Sequence, residues 1–155
     1  MRIIETKLFE EILQQAGNSS RKRSNFNFHT YDETYQRFLN VLLKGTYVCP
    51  HKHVKPPKAE SFLILKGEVV FFIFDDTGKV LQSHRLSASG PKHGIDVKGG
   101  VWHSLLCLSE TAICFEGKTG PYDPKADKIF AEWAPREGEA GVDAYMKSLL
   151  ASLKE

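Results

Sequence analysis

Apolar residues near both ends of the chain recur with the period of a helix. The first stripe consists of Ile4, Leu8, Phe9, Ile12 and Leu13. It predicts an amphipathic helix over about residues 1–17, which the pair Gly17-Asn18 ends. The second stripe consists of Val142, Tyr145, Met146, Leu149, Leu150 and Leu153. It predicts a helix over about residues 142–154. Each helix must bury its apolar stripe, either against the rest of the chain or against a second subunit of a homodimer.

Between these helices the pattern changes to that of a β protein. Short runs rich in Val, Ile, Phe and Tyr alternate with turns that contain Gly or Asp, which is typical of a sandwich or barrel. The predicted strands cover residues 37–43, 46–49, 61–65, 69–74, 80–86, 102–108 and 111–117. Residues 121–141 are polar and contain three prolines, so we expect an extended connection or lid there. The expected organisation is one domain over residues 1–155, with a barrel over about residues 25–120.

The composition excludes several functional classes. The chain is 41% apolar and 26% charged, which is ordinary for a globular protein. Its longest apolar run, residues 69–74, is far shorter than the roughly 18 residues of a membrane span. Lys and Arg number 21 against 19 Asp and Glu. This balance predicts no general affinity for nucleic acid or membrane surfaces and leaves a small-molecule ligand as the expected partner.

The cysteines and the N-terminus indicate a cytoplasmic protein. Cys49, Cys107 and Cys114 are widely spaced and include no Cys-x-x-Cys pair, which is unlike a disulfide framework. The first residues lack the continuous apolar segment of a signal peptide. We interpret Cys49 as a buried filler in preference to a reactive thiol or an additional metal ligand.

Three histidines and one glutamate are candidate metal ligands. His51 and His53 are two residues apart, so in an extended segment they point to the same face. Glu60 stands at the start of the next predicted strand, and His103 at the start of a distant one. Such a set of nitrogen and oxygen ligands suits one divalent transition metal ion, namely Fe, Zn, Mn, Ni or Co, with positions left open for water or substrate. A lone His-x-His pair is weak evidence, because exposed pairs and satisfied core histidines are common; the other two residues strengthen the interpretation.

The spacing of these residues resembles the two motifs of the cupin superfamily. The positions that resemble the first motif are Gly45, His51, His53, Glu60 and Gly67. The segment Gly100-Val101-Trp102-His103 resembles the end of the second motif. Two departures are Lys98, where the motif has Pro, and Cys107, where it has Asn.

Other segments resemble the WbuC family of cupin-fold metalloproteins. They cover residues 21–29, 36–37, 45–48, 115–122 and 130–135. The resemblance implies a mainly β cupin fold, a double-stranded β-helix or jelly-roll barrel flanked by an N-terminal and a C-terminal α-helix. It implies one divalent metal ion held by the three histidines and Glu60. It also implies an association with bacterial surface-polysaccharide gene clusters, but it supplies no defined reaction.

Strand alternation suggests further residues of the site. If His51 and His53 point inward, Cys49 and Tyr47 do so too. Glu116 and Lys118 share a strand face, and Tyr122 follows after a Gly-Pro turn. Glu116 and Tyr122 are candidate acid/base groups and Lys118 a candidate anion anchor, whereas the alternative is a solvated strand end.

The basic segment after the first helix is a second candidate binding element. Arg21 and Arg23 are followed by Asn25, Asn27 and His29, whose alternation places polar side chains on one face. Together with Tyr47, this face is predicted to bind a carboxylate or phosphate of the substrate. The alternative interpretation of the basic run is a solvated turn.

These residues support three hypotheses about function. The preferred one is a metal-dependent enzyme acting on a small anionic or carbohydrate-derived substrate, by isomerisation or epimerisation or, with iron, by oxygenase-like chemistry. The second is a non-catalytic module that binds a sugar through the metal. The third is a scaffold whose four ligands are vestigial.

Overall fold

The computed structural model describes residues 1–153, which form two helices and ten strands. The N-terminal part contains α1 (Thr6–Gly17), β1 (Arg23–Asn27), β2 (Tyr35–Leu43), β3 (His51–Lys52), β4 (Glu60–Lys66) and β5 (Glu68–Phe74). The C-terminal part contains β6 (Val80–Ser87), β7 (Gly94–Val97), β8 (Trp102–Cys107), β9 (Thr111–Thr119), β10 (Ile129–Phe130) and α2 (Val142–Ala151). Residue 154, the predicted end of the last helix, lies outside the described residues.

The strands form two antiparallel five-stranded sheets. The first sheet has the order β1-β2-β9-β4-β7, and the second has the order β10-β3-β8-β5-β6. Sequential strands thus cross repeatedly from one sheet to the other, as in a jelly roll. The predicted mainly β architecture with two flanking helices is confirmed.

Six of the predicted strands are present with small shifts at their ends, but the one at residues 46–49 is wrong. Pro50 has no N–H to donate to a ladder. Side chains satisfy the backbone there, because Arg23 Nη1 donates to the carbonyl of Tyr47 at 2.7 Å and Ser104 Oγ donates to that of Val48 at 2.6 Å. The strands β3, β7 and β10 were not predicted, since they are short and carry no alternating apolar pattern, and β1 was indicated only by the polar alternation of Asn25 and Asn27.

The space between the sheets contains an apolar core. Its buried residues are Leu42, Phe62, Ile64, Val69, Phe71, Leu86, Val97, Leu105, Cys107, Ala112 and Cys114. Phe71 packs on Phe62, with ring centroids 5.2 Å apart, and burial of each such side chain stabilises the fold by about 1.5–3 kcal/mol.

The turn between β4 and β5 requires glycine. Gly67 has a φ of +72°, and a Cβ there would lie 2.1 Å from the backbone oxygen of Thr111. Only glycine avoids this overlap in a left-handed conformation. This turn gives a structural reason for the last glycine of the first motif.

The two helices cover the outer faces of the sheets. In α1, the buried residues Leu8, Ile12 and Ala16 pack with Leu39, Val41 and Ile113 of the first sheet. In α2, Leu149 packs with Val70, Phe72, Phe74 and Leu106 of the second sheet. The barrel itself therefore covers the apolar stripes of both helices.

No helix in the described part of the chain is long and apolar enough to span a membrane.

Residues 121–141, the connecting segment, are not a simple extended connection. Ile129 and Phe130 form β10 and pair with Lys52 and His51 of β3. The ring of Trp133 then packs on Phe74, with centroids 5.1 Å apart. The connecting segment is thus attached to the second sheet beside the candidate ligands.

Substitution of Ile12 by Ala should destabilise the protein without affecting the space between the sheets. Ile12 is 0% exposed, so we expect the free energy of unfolding to fall by roughly 2–5 kcal/mol in a denaturant titration. The matched control is Ile4→Ala, because Ile4 is 42% exposed. Equal stability of the two variants would contradict the packing described for α1.

Candidate functional site

The four candidate ligands come from both sheets. His51 of β3 lies directly opposite His103 of β8 in the second sheet. His53 follows just after β3, and Glu60 is the first residue of β4 in the first sheet. All four residues are buried. The cluster therefore joins the two sheets across the interior of the barrel.

The ligand atoms of this cluster lie close enough to share one ion. One atom from each residue lies within 4.8 Å of the others. His53 Nε2 is 3.1 Å from Glu60 Oε1, and His103 Nε2 is 3.0 Å from Glu60 Oε2. Two ligands that bind one ion at right angles, each at about 2.1 Å, lie about 3.0 Å apart. The residues present thus fit a transition metal ion.

Backbone carbonyls orient all three imidazoles. His51 Nδ1 lies 2.9 Å from the carbonyl oxygen of Cys49, and His103 Nδ1 lies 2.9 Å from that of Val101. His53 Nδ1 donates to the carbonyl of Asp127. Because a carbonyl only accepts hydrogen bonds, each Nδ1 carries the proton and each Nε2 presents a lone pair.

The cluster contains more acceptors than the protein can satisfy. Among residues 1–153, the buried atoms His53 Nε2, His103 Nε2 and Glu60 Oε2 have no hydrogen-bond partner. Burial lowers the pKa of His51 far below its usual value, and the charge of Lys128 adds to the effect. Neutral imidazoles that face a carboxylate need a cation between them.

A polar cavity of about 430 Å³ lies beside the cluster. Of the residues predicted from the sequence, its wall contains Arg21, Arg23, Asn25, Asn27, His29, Glu116, Lys118 and Tyr122. The strand register places Lys118 directly opposite Glu60. The cavity wall therefore begins next to a metal-ligand candidate.

The structure does not bring Tyr47 to this cavity. Its hydroxyl donates to the carbonyl of Pro135 at 2.8 Å, and its ring packs edge-on against Tyr145 of α2. Val48 lies on the cavity wall instead. The alternation assumed for residues 47–53 breaks at Pro50, because the backbone there is not a regular strand.

Glu116 is a buried carboxyl group on the cavity wall. It is 6% exposed, and Asn40 Nδ2 donates to its Oε2 at 3.2 Å. Burial and the negative charge of Glu60 raise the pKa of Glu116 to about 8. A carboxyl group with such a pKa can carry a proton near neutral pH.

The two arginines of the wall share one carboxylate. Arg21 Nε lies 2.9 Å and Arg23 Nη1 2.7 Å from Glu137 Oε1. Glu137 thus balances part of their charge and holds the connecting segment against the end of β1. Tyr122 lies 37% exposed on the wall, and its ring packs on Tyr31 with centroids 5.1 Å apart.

Sequence reasoning missed several residues of the site, namely Gln36, Asn40, Lys58, Asp127 and Lys128. Gln36 and Asn40 had a usable signal, because they share the inward face of β2 with Leu42. Lys58 and Asp127 lie outside regular strands, so no periodicity indicates where their side chains point.

The chain was compared with known protein families and with solved structures. A family model described as Domain of unknown function (DUF6016) matches residues 4–86, just over half of the chain. No curated protein matches the chain.

Among solved structures, the chain is similar to the capsular polysaccharide assembling protein CapF from Staphylococcus aureus. The TM-score is 0.63 at 21% identity, over 74% of this chain and 33% of CapF. The cupin domain of Schizosaccharomyces pombe Cnp3 has a TM-score of 0.50 at 13% identity, over 63% of this chain and 64% of that domain. Oxalate decarboxylase OxdC from Bacillus subtilis has a TM-score of 0.51 at 17% identity, over 63% of this chain and 24% of OxdC.

These likenesses confirm the predicted cupin fold. At such identities they show the fold alone. The chain spans about one third of the length of CapF.

We expect the protein to bind one divalent ion through the cluster. Substitution of His103 by Ala should weaken Zn²⁺ or Co²⁺ binding by more than the roughly 10–100-fold that loss of an outer hydrogen bond costs, because it removes a ligand. Isothermal titration would measure the change. The control is His84→Ala, because among residues 1–153 the His84 side chain forms a hydrogen bond only with Gln82. Failure of the wild type to bind Fe, Zn, Mn, Ni or Co under any loading condition would contradict the assignment.

Proposed function

The chain belongs to the family described as Domain of unknown function (DUF6016), and we propose that it is a metal-dependent cupin enzyme for a small anionic or carbohydrate-derived substrate. The observation that carries the proposal is the convergence of three imidazole Nε2 atoms and the Glu60 carboxylate beside a polar cavity. The reaction class we favour is proton transfer, as in an isomerase or epimerase.

In this proposal, His51, His53, His103 and Glu60 hold one ion of Fe, Zn, Mn, Ni or Co. A divalent ion in such a site supplies Lewis acidity toward a carbonyl or hydroxyl oxygen of the substrate. The carbonyls of Cys49, Val101 and Asp127 keep the three Nε2 atoms turned toward it. The burial of the cluster excludes bulk water and strengthens electrostatic interactions there.

Glu116 is the proposed acid/base group. It lies on the cavity wall, and its burial raises its pKa above the usual value of a carboxyl group, which allows it to accept and return a proton near neutral pH. Asn40 holds its Oε2 in place. Tyr122, on the exposed side of the same cavity, is proposed to provide a second polar contact or proton transfer.

The cavity wall supports an oxygen-rich, negatively charged substrate. Neutral amides of Asn25 and Asn27 can bind hydroxyl groups, while Arg23, Lys118 and Lys128 add positive charge. Burial alone would lower the pKa of Lys118, but the carboxylates of Glu60, Glu116 and Asp127 outweigh it and keep the amine charged.

A role in surface-polysaccharide metabolism is part of the proposal. The similarity to CapF, a capsular polysaccharide assembling protein, and the resemblance of several segments to the WbuC family support it. CapF also binds the inhibitor 3-isopropenyl-tropolone, which shows that this relative accepts a small molecule.

We further propose a cytoplasmic protein that forms a homodimer. The three cysteines are free and buried, which supports a reducing compartment. Tyr35 and Leu63, which are 52% and 48% exposed, border a shallow groove on the outer face of the first sheet. Exposed apolar patches of this kind are common at protein interfaces.

A binding module without turnover is the second candidate. The observation that favours it is the row of neutral amides on the wall, because Asn25, Asn27 and Asn40 can bind a sugar without proton transfer. In that case the ion anchors the sugar, and Glu116 contributes only hydrogen bonds.

Solvent exchange distinguishes the two candidates. The metal-loaded protein is incubated in D₂O with hexose phosphates, uronic acids and nucleotide sugars, and loss of carbon-bound proton signals is followed by NMR. We expect exchange with one class, and we expect Glu116→Gln to slow it by roughly 10²–10⁴-fold while metal stoichiometry is kept.

The control for this experiment is Glu110→Gln, because the side chain of Glu110 is 84% exposed. Equal exchange rates in Glu116→Gln and wild type would remove Glu116 as the acid/base group. Saturable binding of a sugar without any exchange would favour the binding module.

A further inference from the structure

Asp127 is a buried residue of the connecting segment that contacts the candidate ligand His53 directly. Its carbonyl accepts the Nδ1 proton of His53. Its carboxylate lies between two lysines, with Lys58 Nζ 3.0 Å from Oδ1 and Lys118 Nζ 3.0 Å from Oδ2. The side chains of these three charged residues are 3–6% exposed.

We propose that Asp127 is a positioning residue that fixes the tautomer and orientation of His53 and thereby sets the metal affinity of the site. The proposal rests on the metal-binding function proposed above. Its physical basis is that the two lysines hold the carboxylate, and the carboxylate holds the adjacent carbonyl against His53.

The charges around Asp127 explain why this position needs a carboxylate. Two buried ammonium groups require a nearby negative charge, since an unpaired buried charge is strongly destabilising. Among the described residues, the carboxylates within 4 Å of Lys118 Nζ are those of Asp127 and Glu60, the latter at 3.8 Å. Asp127 thus draws Lys118 away from Glu60 Oε1, which leaves that oxygen available to an ion.

The surrounding backbone keeps Asp127 over the cluster. Lys58 Nζ also donates to the carbonyl of Pro121 at 2.7 Å, before Asp127 in the chain. After Asp127, β10 pairs with β3, the strand of His51. Contacts before and after Asp127 therefore hold it in place, and Asp127 links the connecting segment to the candidate ligand His53.

Loss of this arrangement has a definite chemical consequence. Without a carbonyl at Nδ1, a neutral imidazole distributes its proton over both nitrogens and rotates more freely. The fraction of His53 that presents an Nε2 lone pair to the ion then falls. Lys118, released from Asp127, competes with the ion for Glu60.

The test compares Asp127→Asn with Asp123→Asn. Both variants remove one negative charge from the connecting segment, but Asp123 is exposed, and within the described part of the chain its side chain accepts a hydrogen bond only from the backbone N–H of Lys125. Long-range ¹H–¹⁵N correlation of the imidazoles reports each tautomer in the metal-free protein. Competition with a chelator gives the dissociation constant for Zn²⁺.

In Asp127→Asn we expect the Nε2–H form of His53 to increase, whereas His51 and His103 keep their Nδ1–H form. The dissociation constant for Zn²⁺ should rise by about 10–100-fold, as for other outer-shell partners of metal ligands. Asp123→Asn should change it by no more than about twofold.

A second variant helps to distinguish a specific effect at His53 from a general loss of structure. Lys58→Gln removes one partner of the Asp127 carboxylate and should weaken Zn²⁺ binding in the same direction but less. Parallel changes in the tautomers of all three histidines would indicate a loosened fold and overturn the proposal. So would identical behaviour of Asp127→Asn and Asp123→Asn. If wild type binds no metal, the proposed function fails, while the tautomer of His53 still decides the role of Asp127.

Discussion

Four acceptor atoms point at one another between the two sheets, and the surrounding structure serves to hold them there. Each imidazole has already given its proton to a backbone carbonyl, so none is left to neutralise the Glu60 carboxylate. Such an arrangement is electrostatically unfavourable in a dry interior unless a cation joins it. The apolar core around Phe71 supplies the stability that this polar cluster does not contribute: its ring stacks on His103, with centroids 5.5 Å apart.

The barrel interior contains an apolar core at one end of β9 and the polar cavity at the other. On the inner face of β9, Ala112 and Cys114 belong to the core, while Glu116 and Lys118 belong to the cavity. The inward face of β9 thus changes from core residues to cavity-lining residues between Cys114 and Lys118. Because every second residue faces inward, the transition needs only a change of residue type and no change of backbone.

The ligand cluster and most strands could be predicted from the sequence because both depend on local regularities. His51 and His53 are two residues apart and therefore point to the same face of an extended segment. Glu60 and His103 stand at the start of apolar runs. The two helices have clear apolar stripes. Tyr47 was placed wrongly because Pro50 interrupts the alternation on which its orientation was based. Asp127 and Lys58 had no such regularity, since only tertiary folding of two irregular segments brings them together. The contacts that orient the candidate ligands, such as that of Asp127 with His53, therefore could not be predicted from the sequence.

The opposition of His51 and His103 has a consequence for how the chain assembles. The pairing of β3 with β8 is very short and specifies its alignment weakly by backbone hydrogen bonds alone. A slip by one residue would turn His51 to the opposite side of the sheet and scatter the donor set. A cation bound by the four residues during folding would therefore stabilise only the correct alignment of β3 with β8, and would favour the correct topology of the barrel.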